Sequence, residues 1–216
     1  MSAAPGDDLE ADRERLLGGP LARLELRDSR IIEAFRRVPR ERFLPEAVKA
    51  QAYDDRALPL AEGQTVSQPS MIAIMLDALA CRSTDRVLEI GAGSGYAAAL
   101  LGCLAAEVHA VEIRPALAER ARATLAALAH QNVHVHVGDG ARGLPEHAPF
   151  DRILVSAAAR DVPAPLVDQL APGGRLVIPV GPSSGQLLQV GVKLQNGAVR
   201  WSSGTPCVFV PLVGAS

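Results

Sequence analysis

The sequence predicts an α/β fold: a doubly wound, mostly parallel sheet of seven strands, with a helical extension before it and antiparallel strands at its end. Between residues 85 and 181, short apolar runs alternate with helical segments, a pattern that requires right-handed crossovers and a sheet covered on both faces. After this region two strand-like runs follow each other without a helix, which is typical of an antiparallel addition at one edge.

The N-terminal part is predicted to be mostly helical. We expect residues 1–8 to be a disordered tail. From Leu9 to about Arg37, apolar residues recur at roughly helical spacing, with a break near Gly18–Pro20. A short helix is predicted over residues 45–52, and a polar loop, "YDDRALPLAEGQTVSQ", follows it. The next helix should run from about Pro69 to Ala80, because proline is accepted in a first helical turn.

The sheet is predicted from short runs bounded by turn residues. In chain order, the predicted strands are "RVLEIGAG", "EVHAVEI", "VHVHVG", "FDRILVSAA", "GGRLVIPVG", "GQLLQVGVKL" and "TPCVFVPLV". The helices predicted between them are "YAAALLGCLA", "PALAERARATLAALAH" and "VPAPLVDQL". A hairpin should join the last two strands, either near Asn196–Gly197 or through "WSSGT".

One domain accounts for the whole pattern. A chain of 216 residues, 48% of them hydrophobic, can fill one core but not two full-sized domains. We therefore predict a single domain over residues 9–216. It comprises N-terminal helices and a loop (9–68), an α/β core (69–182) and C-terminal strands (183–216).

The charge balance argues against several functions. A formal net charge of −2 does not suit a general nucleic-acid binder. Five arginines near the N-terminus are predicted to form a solvated helix face and turn: Arg30, Arg36, Arg37, Arg40 and Arg42. The acidic N-terminus lacks the apolar segment of a secretion signal, and no apolar run reaches membrane-spanning length. We expect a cytoplasmic monomer without nucleic-acid or membrane partners.

A glycine-rich segment, "VLEIGAGSGY", is predicted to end a strand and open a helix. Gly91, Gly93 and Gly95 would allow a tight turn and a close approach of the backbone to a ligand. The spacing is not the G-x-G-x-x-G of dinucleotide binding, and the Lys of a phosphate-binding loop is absent. The turn therefore suits a ligand without phosphates, although the glycines could also serve a tight turn alone.

Two carboxylates follow at the ends of the next two strands. Glu112 closes "VHAVE" about 20 residues after the turn, where it can accept hydrogen bonds from both hydroxyls of a ribose. Asp139, in "GDG", could accept from an adenine amino group. Alternatively, Glu112 could favour the N-terminus of the next helix, and Asp139 could be a turn former. Taken together, the three sites favour S-adenosylmethionine or another unphosphorylated adenosine compound.

These motifs resemble those of class I S-adenosylmethionine-dependent methyltransferases, which have a Rossmann-like fold. Five further segments resemble the narrower protein-L-isoaspartate (D-aspartate) O-methyltransferase family over about residues 30–213: "VPRERFLPE", "GQTVSQP", "PFDRILVSAAA", "VPAPLVDQLAPGGRLVIPVG" and "FVPLV". The resemblance implies a cytoplasmic repair enzyme that methylates the α-carboxylate of L-isoaspartyl and D-aspartyl residues in damaged proteins and peptides. S-adenosyl-L-homocysteine would be the second product, and the methyl ester would cyclise unaided to a succinimide.

The resemblance also implies a set of site residues. In this family the "QTVS" segment lies across the cofactor, and its serine, here Ser67, is the residue usually assigned to the active site. The predicted cofactor-binding residues are Gln64, Thr65, Val66, Glu89, Gly91, Ala92, Gly93, Gly95, Glu112, Ile113, Asp139 and Gly140. The predicted substrate contacts are Ser67 and the C-terminal strand at Val208, Phe209 and Val210. Many bacterial relatives carry Arg where this chain has Val208.

The implied reaction needs little acid–base chemistry. A carboxylate is already ionised at neutral pH, so catalysis depends mainly on positioning and desolvation. A hydroxyl such as that of Ser67 can donate to one carboxylate oxygen and leave the other to attack the methyl group. Alternatively, Ser67 could cap the helix that begins near Pro69.

Two other motifs suggest different chemistry. "GPSSG", residues 181–185, matches the G-x-S-x-G of hydrolase nucleophile elbows, but that motif needs a following helix and the next segment alternates like a strand. "HVH" places His134 and His136 on one strand face, as a metal site could, but no third ligand lies nearby in the sequence. We therefore predict neither a hydrolase nor a metal site.

Other functions remain open at this stage. A related carboxyl methyltransferase that acts on the aspartate of one dedicated peptide would use the same motifs. RNA or small-molecule methylation, or cofactor binding without catalysis, is less well supported, because the net charge is slightly negative and the peptide-related motifs are present.

Overall fold

The computed structural model describes residues 5–214. Its helices are α1 (Pro5–Leu16), α2 (Arg30–Arg37), α3 (Pro69–Leu79), α4 (Tyr96–Gly102), α5 (Pro115–Ala127) and α6 (Ala164–Asp168). Its strands are β1 (Leu58–Pro59), β2 (Thr65–Val66), β3 (Arg86–Ile90), β4 (Glu107–Glu112), β5 (Val133–Val137), β6 (Phe150–Val155), β7 (Leu170–Val180), β8 (Gln186–Lys193) and β9 (Val199–Cys207). Residues 1–4 of the predicted disordered tail lie outside the described residues, whereas residues 5–8 belong to α1.

The central sheet has seven strands in the order β5-β4-β3-β6-β7-β8-β9. Strands β3 to β7 pair in parallel, and β8 and β9 are antiparallel additions at one edge. This arrangement confirms the predicted fold class. A separate antiparallel ribbon joins β1 to β2, with Leu58 opposite Val66, and it carries the polar loop to the edge where the parallel strands end.

Apolar side chains on both faces of the sheet hold the helices in place. One core packs α3, α4 and α5 against the face that includes Val87, Val108 and Leu154. The other core covers the opposite face with Leu144 and Leu166, which lie before and within α6. Parallel strands that are buried on both faces have nearly continuous apolar sequences, and for this reason the sequence predicts these strands.

The predicted break in the N-terminal helix is present. Leu17–Leu21 forms a turn of π-helix with Pro20 inside it, and the chain does not resume a regular α-helix until α2. The short helix predicted at residues 45–52 is a 3₁₀ helix over Glu46–Gln51. Among the described residues, no helix is both long enough and apolar enough to cross a bilayer.

The C-terminal strand was predicted too late in the chain. The hairpin turn lies at Asn196–Gly197, so "WSSGT" belongs to β9, and β9 ends at Cys207 rather than continuing through "VFVPLV". The ladder ends because the Gln186 side chain replaces it: its Oε1 accepts from the Phe209 N–H at 2.6 Å and its Nε2 donates to the Phe209 carbonyl at 3.1 Å.

The "GPSSG" segment connects β7 to the antiparallel strand β8. A nucleophile elbow requires a helix directly after the serine turn, and here a strand follows. The prediction that a strand, and not a helix, follows this motif is confirmed.

Candidate active site

The glycine-rich turn follows β3 and is bound to the end of β4. Gly91, Gly93 and Gly95 all have positive φ angles, of 84°, 53° and 86°, in the region that favours glycine. The N–H groups of Gly91 and Ala92 both donate to the carbonyl of Val111, at 2.8 and 3.1 Å. The turn is therefore a fixed backbone surface rather than a mobile loop.

Glu112 joins this turn to the next helix. Its Oε2 accepts from the Gly93 N–H at 2.8 Å, and its Oε1 accepts from the Arg114 N–H at 3.0 Å, just before α5. The interpretation of Glu112 as a group that serves the helix end is therefore correct, and because the residue also faces the cavity beside the glycine turn, ribose binding stays a prediction. Each carboxylate oxygen can still accept another hydrogen bond, which fits a ribose with two hydroxyls.

Three adjoining cavities lie at the carboxyl ends of the parallel strands, where open α/β sheets bind ligands. The first is lined by residues that include Gln64, Glu112, Ile113, Gly140 and Val213. The second is lined by residues that include Val66, Ser67, Glu89, Ala92 and Tyr96. The third, a larger groove, is lined by residues that include Ser67, Met71, Gln186, Val208 and Phe209. Thr65 and Ser156 line all three and mark the place where they meet.

Most of the predicted cofactor residues line the first two cavities. These are Gln64, Thr65, Val66, Glu89, Gly91, Ala92, Gly93, Glu112, Ile113 and Gly140. Gly95 is not among the lining residues: it precedes α4, where an added Cβ would lie 3.1 Å from the Cβ of Ala121 in α5. Its absent side chain allows two helices to pack closely.

Asp139 also lies outside these two cavities. Its Oδ1 accepts from the Ala141 N–H at 2.9 Å and so caps a 3₁₀ turn, Gly140–Arg142. The side chain lines a groove on the other side of this turn, together with His136 and Arg142. The alternative interpretation as a turn former therefore describes Asp139, and an adenine contact stays a prediction.

A buried arginine holds the polar loop, of which we call residues 64–68 the strap. Arg40 is fully buried, unlike the four other arginines of the predicted solvated face, so for this residue the prediction was wrong. Its Nη1 donates to the Ser67 carbonyl at 2.9 Å, and its Nη2 donates to the Arg56 carbonyl at 3.4 Å. The guanidinium lies 5.4 Å from the centre of the buried Tyr96 ring, in cation–π contact.

Ser67 is not the cap of α3. The residue before this helix is Gln68, and it makes no side-chain capping bond. Asp55 performs this function, since its Oδ1 accepts from the Ser70 N–H at 2.9 Å and its Oδ2 from Gln68 Nε2 at 3.1 Å. The capping alternative for Ser67 is wrong, and the residue lines both the second cavity and the groove.

Glu89 is a buried carboxyl group within the second cavity. Burial raises the pKa of Glu89 to about 8, an effect that a hydrogen bond from Ser156 opposes and the nearby Glu112 reinforces. Ser156 Oγ donates to Oε1 at 3.2 Å, whereas Oε2 is buried and has no hydrogen-bond partner among the described residues. An unpaired acidic oxygen beside a glycine turn fits the cationic sulfonium of S-adenosylmethionine.

Raising the pH from about 6.5 to about 8.5 is expected to strengthen binding of S-adenosylmethionine relative to the uncharged thioether S-adenosyl-L-homocysteine. Below the pKa of about 8, Glu89 carries a proton that must leave before the group can face a cation. Affinity should rise by up to about tenfold per pH unit and level off above pH 8. Calorimetry at each pH measures the ratio of the two Kd values, for S-adenosylmethionine and for S-adenosyl-L-homocysteine. In a Glu89→Gln variant this ratio should not change with pH, and a ratio that is independent of pH in the unsubstituted protein would contradict the prediction.

The C-terminal segment after β9 forms the outer wall of the groove. The Ala158 N–H donates to the Val210 carbonyl at 2.8 Å, and the Leu212 N–H donates to the Ala158 carbonyl at 2.7 Å. Together with the two hydrogen bonds between Gln186 and Phe209, these hold Phe209 and Val210 in place across the groove from the strap. Val208 is 84% exposed at the mouth of the groove. Val208, Phe209 and Val210 therefore line the same groove as Ser67, but they belong to an extended segment after β9 and not to a strand.

Sequence reasoning missed Ser156 and the role of Arg40. Ser156 directly follows β6, at the same sheet edge that located Glu112, so its position at a strand end was an available signal. Arg40 gave no such signal, because its carbonyl partners are 16 and 27 residues away in the chain.

The structure also removes the argument against a metal site. That argument relied on the lack of a third ligand close to His134 and His136 in the sequence. The fold brings His109 and His147 to His136, with possible ligand atoms all within 4.8 Å of one another.

The fold and this site together define a class I S-adenosylmethionine-dependent methyltransferase. A family model for protein-L-isoaspartate (D-aspartate) O-methyltransferase matches residues 20–216. The chain belongs to this family.

Individual relatives agree with the family match. A protein-L-isoaspartate O-methyltransferase from Roseiflexus sp. (strain RS-1) is 52% identical over 94% of this chain and 93% of its own length. One from Methanoculleus marisnigri is 47% identical over 96% of this chain and 94% of its own length.

Solved structures give the same fold. A protein-L-isoaspartate O-methyltransferase structure superimposes with a TM-score of 0.83 at 30% identity, over 94% of this chain and 66% of the other. A Plasmodium falciparum structure in complex with S-adenosyl-L-homocysteine gives a TM-score of 0.80 at 23% identity, over 93% and 98%. At that identity the second likeness supports the fold alone.

Proposed function

We propose that this protein transfers a methyl group from S-adenosylmethionine to the α-carboxylate of L-isoaspartyl and D-aspartyl residues in damaged proteins and peptides. The ester then begins repair through a succinimide. One observation carries the proposal. The strap, with Ser67 in it, lies between the two cavities beside the glycine turn and the open groove, and Thr65 and Ser156 line the two cavities as well as the groove. The names of the relatives, with coverage above nine-tenths of both chains, support the same activity.

The residues present fit the cofactor. Glu112 would accept from the ribose hydroxyls, the glycine turn would lie against the adenosine, and Glu89 would face the positive charge. When bound, the cofactor supplies an electrophilic methyl group on a sulfonium, which leaves behind a neutral thioether. An ionised carboxylate is nucleophilic enough to need no general base, so the chain's task is to orient the two groups and exclude water.

Isoaspartyl linkages present a distinctive shape to the groove. The backbone passes through the side chain, so the α-carboxylate becomes a short branch that can enter a narrow opening. Ser67 lies at this opening and would donate to one carboxylate oxygen, leaving the other free to attack. Gln186 is engaged with Phe209 and holds the facing wall, so the width of the groove depends on it.

A direct test compares two peptides that differ in one linkage. Radiolabelled methyl transfer should be rapid with an isoaspartyl peptide and undetectable with its aspartyl twin. Equal transfer to both, or transfer only to aspartate in one particular sequence, would overturn the repair proposal in favour of a dedicated peptide substrate. Tight cofactor binding with no transfer to any peptide would instead indicate a binding module.

Replacing Ser67 with alanine is expected to lower kcat/KM for an isoaspartyl peptide by about 10- to 100-fold. A hydrogen bond to a charged group contributes about 1.5–3 kcal/mol, which corresponds to that range. The Kd for S-adenosyl-L-homocysteine, measured by calorimetry, should change little.

Ser70→Ala is the matched control for this substitution. Ser70 lies in the same segment, but it contributes its backbone N–H to Asp55 and lines none of the three cavities. Activity equal to the unsubstituted enzyme in Ser67→Ala would contradict the role assigned to the hydroxyl.

We further propose that the enzyme works as a monomer in the cytoplasm. Membership of the protein-L-isoaspartate (D-aspartate) O-methyltransferase family supports the cytoplasmic assignment. Sedimentation at micromolar concentration tests the monomeric state, and a stable dimer would contradict that part of the proposal.

A further inference from the structure

We propose that His109, His136 and His147, which we call the histidine cluster, bind one divalent transition-metal ion of the zinc type. The cluster lies on the sheet face that α6 covers, near the beginning of β4. Glu112 lies three residues beyond His109 on that strand, about 10 Å along the backbone, and none of the three histidines lines the three cavities of the candidate active site. The metal site is therefore separate from the proposed methyl-transfer site.

The nitrogen atoms already have nearly the spacing that a tetrahedral ion requires. His109 Nδ1 and His136 Nε2 are 3.1 Å apart. With metal–nitrogen bonds of about 2.0–2.1 Å, two ligand atoms of a tetrahedral zinc ion lie about 3.4 Å apart. The possible ligand atoms of all three residues lie within 4.8 Å of one another, so small side-chain rotations bring His147 to the same ion.

A carboxylate stands behind one of the three imidazoles. Glu107 Oε1 is 3.3 Å from His109 Nε2, the ring nitrogen that faces away from His136. Metal-binding histidines commonly place their second ring nitrogen against a carboxylate, which fixes the tautomer and the ring orientation. His109 Nε2 is buried and is not yet aligned for a hydrogen bond, so this contact has room to tighten when Nδ1 binds an ion.

Arg86 joins the remaining parts of the site. Its Nε donates to Glu107 Oε2 at 2.9 Å, and its Nη1 donates to the His147 carbonyl at 3.1 Å. One side chain thus positions both the supporting carboxylate and the 3₁₀ turn, Pro145–His147, that carries the third histidine. The turn would otherwise be joined to β4 and β5 mainly by contacts between rings, of which His109–His147 is the closest, at 4.3 Å between centroids.

The type of ligand determines the type of ion. Imidazole nitrogens suit zinc, copper, nickel and cobalt, whereas magnesium and calcium take oxygen ligands. Three protein ligands leave a fourth position for water. The site would tie the turn at residues 145–147 to two sheet strands, so an ion bound there should stabilise the folded state.

The test is calorimetric titration of the chelator-treated full-length protein with zinc chloride. We expect one ion per chain. His136→Gln and His147→Gln should each weaken binding by at least about 100-fold, and Glu107→Gln by about 10- to 100-fold. Both histidines are only partly buried, so these variants should fold, and thermal melting without metal checks this.

A control uses a histidine outside the cluster. His130→Gln should bind zinc as the unsubstituted protein does, because His130 precedes β5 and is not one of the three histidines whose ligand atoms lie together. Cobalt added to the unsubstituted protein should give the visible absorption of tetrahedral coordination and raise the melting temperature, while magnesium should do neither. Zinc binding that survives in the His136→Gln and His147→Gln variants, or zinc binding by the unsubstituted protein that is no tighter than in those two variants, would overturn the proposal.

Discussion

Replacing Glu112 with alanine is expected to weaken S-adenosylmethionine binding by about a thousandfold. The substitution removes an acceptor for two ribose hydroxyls, and hydrogen bonds to charged groups contribute about 1.5–3 kcal/mol each. It also leaves the N–H groups of Gly93 and Arg114 without their partner, so the glycine turn and the start of α5 should loosen together. Isothermal titration with the cofactor measures the affinity.

Two further variants separate the contributions of Glu112. Glu112→Gln keeps one acceptor oxygen and should show an intermediate loss, nearer to tenfold, because one hydroxyl still finds a partner. Glu119→Gln, an exposed carboxylate on α5, removes the same charge away from the cavity and should bind normally. Near-normal affinity in a folded Glu112→Ala protein would mean that the carboxylate only caps α5.

The parts of the site that could be predicted from the sequence share one geometric property. Gly91, Gly93 and Glu112 each lie at the end of a parallel strand, and adjacent strand ends meet at one edge of the sheet whatever the loops do. Buried parallel strands are also easy to recognise, because both faces are apolar. The order of chain elements was therefore enough to predict that these three residues line one cavity, without knowledge of any long-range contact.

The parts that were mispredicted depend on contacts between distant segments. Gln186 ends β9 by binding the backbone of Phe209, and alternating residues in "TPCVFVPLV" gave no sign of this. The histidine cluster needs the pairing of β4 with β5 and the return of the chain at residue 147. Neither a pattern of period two nor the spacing of residues within one segment contains that information.

Arg40 illustrates the same limit, and it leads to the second large expected effect. A charged residue among other arginines in a polar segment is normally solvated, yet this one is fully buried. Burial lowers the pKa of Arg40, and its Nε has no hydrogen-bond partner among the described residues. A cation kept in such surroundings costs folding free energy, so its retention indicates a positional role.

We expect Arg40→Met to lower kcat for isoaspartyl methylation by about 100-fold while the fold and the KM for S-adenosylmethionine change little. Methionine fills a similar volume and removes the desolvated charge, so the melting temperature should stay within a few degrees. The carbonyls of Ser67 and Arg56 lose their donor, and the strap should then sample positions in which the Ser67 hydroxyl does not face the groove. A displacement of about 1 Å is enough to cost two orders of magnitude in rate.

The split between kcat and KM distinguishes positioning from general destabilisation. A protein that is only partly folded would lose cofactor binding and turnover in parallel, whereas a displaced strap lowers turnover in a protein that still binds. Arg42→Met, two residues further along and exposed, removes the same charge from the same segment and should leave both constants unchanged. Arg40→Lys should recover part of the rate, because an ammonium group can reach one of the two carbonyls but lacks the planar fork that binds both. Full activity in Arg40→Met would show that the strap holds its position through β1 and β2 alone.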